Sequence, residues 1–354
     1  MGKSESSRLL YLDVLRIAAI FSVIVLHVAA NYWYSVPVDS FEFAVFTFYD
    51  SLVRFCVPVL VMISGVLFLD PNREYSLQAL YGKYIKRMVF IFLFWSALYA
   101  VSTNLIKYLL SNGSPRELAF TILKQFLVGH YHLWFLFMIA GLYMMVPFLR
   151  VIAHNDTLLK YFLILAIPFI YLANLLVHIP YVSDLYRVLE SKAAIKLVLG
   201  YSGYFLLGFA LSRIELTKTV RKVIYAFGFL GIVATFVGTV LISRTNQEAA
   251  SFLFGYLTPN TLLTSVAVFV FVRSRLSGIS TPPPQKNTII YLSKISLGIY
   301  LVHDFFNLLL RYIGVTTLSF NPILSVPVLS VLVFTLSLGA AAILKHVPIF
   351  KRFL

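Results

Sequence analysis

The sequence predicts an all-α, polytopic membrane protein with about ten transmembrane helices, and three observations carry that expectation. Hydrophobic residues make up 60% of the chain and charged residues 12%, where a soluble domain carries about 25% charged residues to keep its surface hydrated. Apolar runs long enough to cross a bilayer recur from one end of the chain to the other. Lys and Arg gather in alternate connecting loops, the asymmetry that orients membrane helices.

The ten segments read from hydropathy lie near 10–32, 43–69, 84–109, 131–152, 159–179, 195–213, 221–243, 250–272, 288–312 and 323–345. The first carries Asp13 and Arg16 and shows no small-residue cleavage site, so it is expected to be a retained helix and not a signal peptide. The stretch 111–129 (SNGSPRELAFTILKQFLVG) is too polar to span and reads as a short interfacial or re-entrant helix. The loop STPPPQK at 280–286 contains three consecutive prolines and is expected to be non-helical. Residues 1–354 read as a single transmembrane domain with no appended soluble domain. The single cysteine, Cys56, excludes an internal disulfide framework and any multi-cysteine metal site.

Of the 29 Lys and Arg, 19 fall in the loops on one side and eight on the other, with Arg16 and Arg54 inside spans. Both termini are therefore expected to be cytoplasmic. The formal charge of +15 is a topology signal; no basic soluble domain exists to bind nucleic acid.

Ionisable groups inside spans are costly and usually face a bundle interior or a water-filled cavity. Arg16 and His27 in the first segment are eleven residues apart, so they share a face and are separated by roughly 16 Å along the axis. His27 then lies towards the outer end and Arg16 towards the cytoplasm. The blander reading makes Asp13 and Arg16 an interfacial pair and His27 a satisfied polar residue. In SLGIYLVH, Ser296, Tyr300 and His303 form one helical stripe, which as a bland alternative is a helix–helix hydrogen-bonding seam. HYHLWFLF places His130 and His132 at the outer start of its helix, where Trp134 suits an interfacial anchor and His130 an ordinary surface role. Asp50 and Arg54 stand at i and i+4, placed to neutralise one another. His27, His132 and His303 thus reach a similar depth on three helices, which points to a polar chamber. Lys83, Lys86 and Arg87 form a cationic cluster at a cytoplasmic helix entrance, suited either to anchoring or to docking a phosphate-bearing ligand.

These motifs, in order, resemble the membrane-bound acyltransferase family 3. RLLYLDVLRIAAIFSVIVLH resembles its first helix, with Arg16 and His27 matching the family's Arg and His. SGVLFL at 64–69 resembles its Ser-Gly motif, YIKRMVFIFLFW its basic helix entry and HLWFLF its His-Leu-Trp-Phe-Leu stretch. YFLLGF at 204–209 is similar to its glycine-bearing helix, and SLGIYLVH to its late Ser…Tyr-Leu-x-His helix. The compact form is most similar to the type that acetylates enterobacterial common antigen. Where the family often has two arginines three apart followed by proline, this chain has Lys83, Lys86 and Arg87 without the proline; Arg87 best suits the arginine role.

The resemblance implies an acyl-CoA donor, most simply acetyl-CoA, bound from the cytoplasm without a metal. It also implies an acceptor hydroxyl on a glycan or lipid-linked saccharide at the outer face of a bacterial cytoplasmic membrane. His27 is the expected general base, with an acyl-histidine route as the alternative. His132, Tyr300 and His303 are candidate oxyanion donors or orienting groups. Arg16 is assigned to the donor's phosphates or to the channel's electrostatics, beside Lys83, Lys86 and Arg87. The competing class is a transporter or flippase, which would also need a polar intramembrane path.

Overall fold

A computed structural model describes residues 9–111, 114–176, 200–277, 283–348 and 350. Among the described residues the chain is helical and contains no strand, and nine stretches are long and apolar enough to cross a membrane. The segment near 195–213 is not among those nine. Its first five residues lie outside the described ones, and the helix seen, Ser202–Arg213, has 12 residues. The end of 159–179 and seven of the counted cations (Lys3, Arg8, Arg187, Lys192, Lys196, Lys351, Arg352) also lie outside.

Helix α1 (Leu10–Ala30) is the centre of the bundle. Leu15, Ala19, Ile24, Val28 and Ala29 are at most 1% exposed although they point in different directions around the axis, as expected of a helix apolar all round and surrounded by others. It packs against α2 (Phe41–Val53), α3 (Cys56–Phe68), α10 (Pro259–Leu276), α11 (Pro283–Tyr312) and α12 (Pro322–Leu344).

The predicted span 43–69 is two helices. Pro58 has no N–H for the carbonyl of Arg54, and its ring crowds that carbonyl, so the helix breaks at Arg54–Phe55 and resumes with Val59 N–H donating to Phe55 O at 2.9 Å. Arg54 is half-buried at the joint, beside the buried Asp50. Its Nη2 donates to Asp50 Oδ2 at 2.5 Å and its Nη1 to Phe254 O at 3.0 Å.

A π-helical turn, Leu80–Ile85, leads into α4 (Lys86–Ser111). The polar stretch 111–129 contains α5 (Pro115–Val128), none of whose residues is buried. Helix α5 lies along α4, where Ser96 Oγ donates to Phe126 O at 2.6 Å and Asn104 bonds Gln125. Gly129 ends it at φ +85, where a Cβ would come within 2.6 Å of the Phe92 ring. The chain then passes through a single 3-10 turn, Tyr131–Leu133, into α6 (Trp134–Ala153). That turn buries His132, half-buries His130 and aims the hydroxyl of the largely exposed Tyr131 at α11.

Helix α7 (Asp156–Ala166) continues through a second π-helical turn, Ile167–Leu172. Helix α8 (Ser202–Arg213) and α3 meet backbone to backbone. A Cβ on Gly65 would stand 1.9 Å from Phe205 O, and one on Gly208 2.4 Å from Met62 O. The glycines of SGVLFL and YFLLGF are thus two halves of one contact. Helix α9 (Lys218–Asn246) packs on α10 in the same manner, Gly228 against Ala267 and Gly231 against Asn260.

The proline loop is a correction. Pro283 and Pro284 begin α11, because first-turn N–H groups have no helical acceptor and proline loses nothing there. Ser280, Thr281 and Pro282 lie outside the described residues.

Candidate active site

Four helical segments bring their polar groups together between α1, α4, α6 and α11. His27 sits near the end of α1, and its ring centroid is 5.2 Å from that of His303, 6.4 Å from that of His132 and 5.0 Å from that of Tyr131. His303 is 0% and His132 1% exposed. Nε2 of each is buried without a hydrogen-bond partner in the protein, an arrangement that leaves two imidazole nitrogens for a bound group. The other ring nitrogens are engaged: His303 Nδ1 lies 2.5 Å from Tyr300 O and His132 Nδ1 3.1 Å from His130 Nδ1, while the Tyr300 hydroxyl donates to the backbone carbonyl of His132.

His130 belongs to this cluster and not to an ordinary surface, contrary to the sequence expectation. Its Nδ1 is 3.1 Å from His132 Nδ1, and its ring stacks on Tyr99 at 4.4 Å. The cause is the turn after Gly129, which folds the segment inward before α6 begins.

Sequence reasoning missed Asp304, which is 1% exposed. Its Oδ1 accepts from Tyr131 Oη at 2.6 Å and from Asn307 Nδ2 at 3.2 Å, and its Oδ2 lies 3.5 Å from His130 Nδ1. Asn31 Nδ2 in turn donates to Asn307 Oδ1 at 2.8 Å. The signal was present, since a carboxylate inside an apolar span is a functional indication by itself. One donor atom each from His130, His132 and Asp304 lie within 4.8 Å of one another, a spacing that would admit a metal ion.

A second group of polar residues stands further down the same helices. Ser293 Oγ on α11 donates to Asp13 Oδ1 at 2.6 Å, and Arg16 Nη1 donates to Ser293 Oγ at 3.4 Å. Asp13 is 4% exposed, so this is an interhelical linkage and not an exposed interfacial pair. Arg16 and Arg87 line a cavity of about 270 Å³, together with Ser64, Tyr143, Ser293 and Lys294. Its apolar wall is built from Ile20, Leu60, Ile63, Met88, Phe135 and Ile139, and Ser296 and Tyr300 also line it. One cavity therefore connects the arginines to the tyrosine that is bonded to His132.

Lys83 and Lys86 do not line that cavity. Both are exposed, with Lys83 Nζ 5.5 Å from the Tyr84 ring and Lys86 Nζ 5.7 Å from the Phe90 ring. Ser293, Lys294 and Tyr143 are lining residues that the sequence did not single out, and Ser64 is the serine of the SGVLFL motif. Trp134, 38% exposed, stacks on Tyr256 at 5.8 Å.

Neither a comparison with curated proteins nor one with solved structures finds a match. A family model described as an acyltransferase domain matches residues 9–342, nearly the whole chain and both polar groups. Helices, cavity and histidines thus all lie within one matched unit, and the chain belongs to the membrane-bound acyltransferase family 3.

Proposed function

We propose that this protein moves an acyl group, most simply acetyl, from cytoplasmic acyl-CoA to a saccharide hydroxyl at the outer side of a bacterial cytoplasmic membrane. The observation that carries the reading is the single cavity lined at once by Arg16, Arg87 and Tyr300. Its volume suits a slender pantetheine arm and not a nucleotide. The nucleotide's phosphates would stay at the end with Arg87, Arg16 and Lys294, where guanidinium groups pair with phosphate in a bidentate manner. The exposed Lys83 and Lys86 add long-range attraction there.

The thioester then lies towards Tyr300 and the histidines. His27 takes the proton of the acceptor hydroxyl as its oxygen attacks the thioester carbon. The tetrahedral oxyanion needs donors, and an N–H at Nε2 of His132 would supply one, whereas His303, whose Nδ1 donates to the Tyr300 carbonyl, presents a lone pair at Nε2 and serves as an orienting group. As the C–S bond breaks, the imidazolium of His27 returns its proton to the departing thiolate. The ester, free CoA and neutral His27 result. The resemblance to the enterobacterial common antigen type makes a lipid-linked surface saccharide the first acceptor to try. Family membership favours acyl transfer over a transporter or flippase.

The test is acetyl-CoA binding and turnover by purified protein in lipid, for wild type, His27→Ala and Arg87→Ala. Saturable binding weakened by Arg87→Ala, with transfer lost in His27→Ala, is expected. Failure of folded wild type to bind any of several acyl-CoAs overturns the reading.

A further inference from the structure

We propose that Asp304 is the positioning residue of the histidine cluster, its carboxylate holding Tyr131 against His27 and His130 beside His132, and balancing the charge that His27 acquires during transfer. The proposal rests on the acyltransferase reading above and deepens it.

Among the described residues Asp304 is the one acidic side chain in contact with the cluster, and its environment is unusual for a group that only supports a helix. It is 1% exposed inside an apolar span, where an ionised carboxylate is expensive and is retained mainly where it has work to do. Its contacts come from two separate elements. Tyr131 from the turn before α6 donates to Oδ1 at 2.6 Å, and Asn307 from its own helix donates to the same oxygen at 3.2 Å. The second oxygen faces His130 Nδ1 at 3.5 Å and has no conventional hydrogen bond.

The consequence for His27 runs through Tyr131. That ring meets the His27 ring edge-on at 5.0 Å, so the bond that fixes the Tyr131 hydroxyl also fixes a wall of the His27 site. A second connection closes the other side. Asn31, the C-terminal cap of α1, stands one turn beyond His27, and Asn307 one turn beyond His303 on α11. The bond between them ties the two histidine-bearing helices together, and Asn307 hands its remaining contact to Asp304.

Charge is the second part of the argument. When His27 takes a proton from the acceptor, a positive charge appears in a site of low dielectric, where a nearby negative charge interacts far more strongly than in water. The other groups facing His27 are the His132 and His303 imidazoles and the Tyr131 ring, and the Arg54 guanidinium that acts on it from further off is bonded to Asp50. None of these opposes a positive charge on His27 with a negative one of its own. Asp304 does.

Asp304→Asn separates this role from a merely structural one, because the amide keeps an oxygen for Tyr131 and removes the charge. The measurement is kcat for acyl transfer, acetyl-CoA Kd and melting temperature in lipid nanodiscs, with His27→Ala and Tyr131→Phe alongside. Expected is a fall in kcat of about 100-fold for Asp304→Asn, with Kd and melting temperature close to wild type. Tyr131→Phe, which keeps the ring and removes only its bond, is expected to lose about tenfold.

Asp304→Asn retaining half or more of the wild-type kcat overturns the proposal. So does a loss of rate that merely follows a loss of donor binding and of melting temperature. Should Asp304→Asn fail to fold, Tyr131→Phe decides, and an unchanged kcat there overturns the proposal. A wild type that binds no acyl-CoA removes the acyltransferase reading itself. A wild type that turns over while His27→Ala is dead and Asp304→Asn is fully active removes only this inference.

Discussion

The histidine cluster and the basic end of the cavity are built on opposite principles. In the first, His132, His303 and Asp304 are each at most 1% exposed, and their polar side-chain atoms other than the two Nε2 positions and Asp304 Oδ2 are engaged. In the second, Lys83, Lys86 and Arg87 are exposed, and several cations address the same region. A buried group without a substitute fails abruptly when removed, since its partners are left unpaired in low dielectric. Exposed cations share their task and fail gradually. The comparison teaches that the proposed chemistry and the proposed donor capture should respond to mutation on different scales.

The largest expected effect lies at the centre of the cluster. His27→Ala should lower kcat by about 10³-fold or more and leave acetyl-CoA Kd nearly unchanged, which parallel titration and turnover assays read directly. Arg54→Leu tests whether burial alone makes a site fragile. It leaves Asp50 charged and alone, a change worth about 3–5 kcal/mol of stability, visible as a large fall in melting temperature in detergent.

Gly65→Ala places a methyl group where Phe205 O stands 1.9 Å away, and overpacking of this kind costs about 1–3 kcal/mol. Thermal unfolding should show the loss whether or not donor is present. Arg87→Ala should weaken acetyl-CoA binding by about tenfold, with kcat at saturation little changed. Removing Lys83 or Lys86 singly should alter Kd by less than about twofold at physiological salt, where exposed charges are screened. A strong kcat defect in Lys83→Ala would break the comparison, because it would make an exposed cation part of the chemistry.

Much of the site was legible because the bilayer makes polar residues conspicuous. Arg16, His27, Tyr300 and His303 stood out within apolar runs, and the 3.6-residue period put each pair on a face. Asp304 was overlooked because it directly follows His303 and falls off the Ser296–Tyr300–His303 stripe. Its partners, Tyr131 and Asn307, become partners only through the inward turn after Gly129 and the pairing of α1 with α11. Long-range pairings of this kind have no local periodicity to announce them. The helix break at Arg54 was readable in principle from Pro58. The helical start of α11 was missed because three prolines look prohibitive until their place in the first turn is known.

The α3–α8 contact has a mechanical consequence. With Gly65 against the Phe205 carbonyl and Gly208 against the Met62 carbonyl, no side chain lies between the backbones to act as a lubricant. Sliding or rotating one helix past the other would drive main-chain atoms into each other. Leu60, Ile63 and Ser64, which line the cavity, ride on that seized joint. The opposite wall includes Arg87 and Met88 just beyond a π-helical turn, a feature that leaves local register adjustable. Met88 itself is an unbranched, compliant side chain. The cavity therefore resembles a vice with one fixed jaw and one that yields, and any widening on entry of the proposed donor belongs to the α4 side.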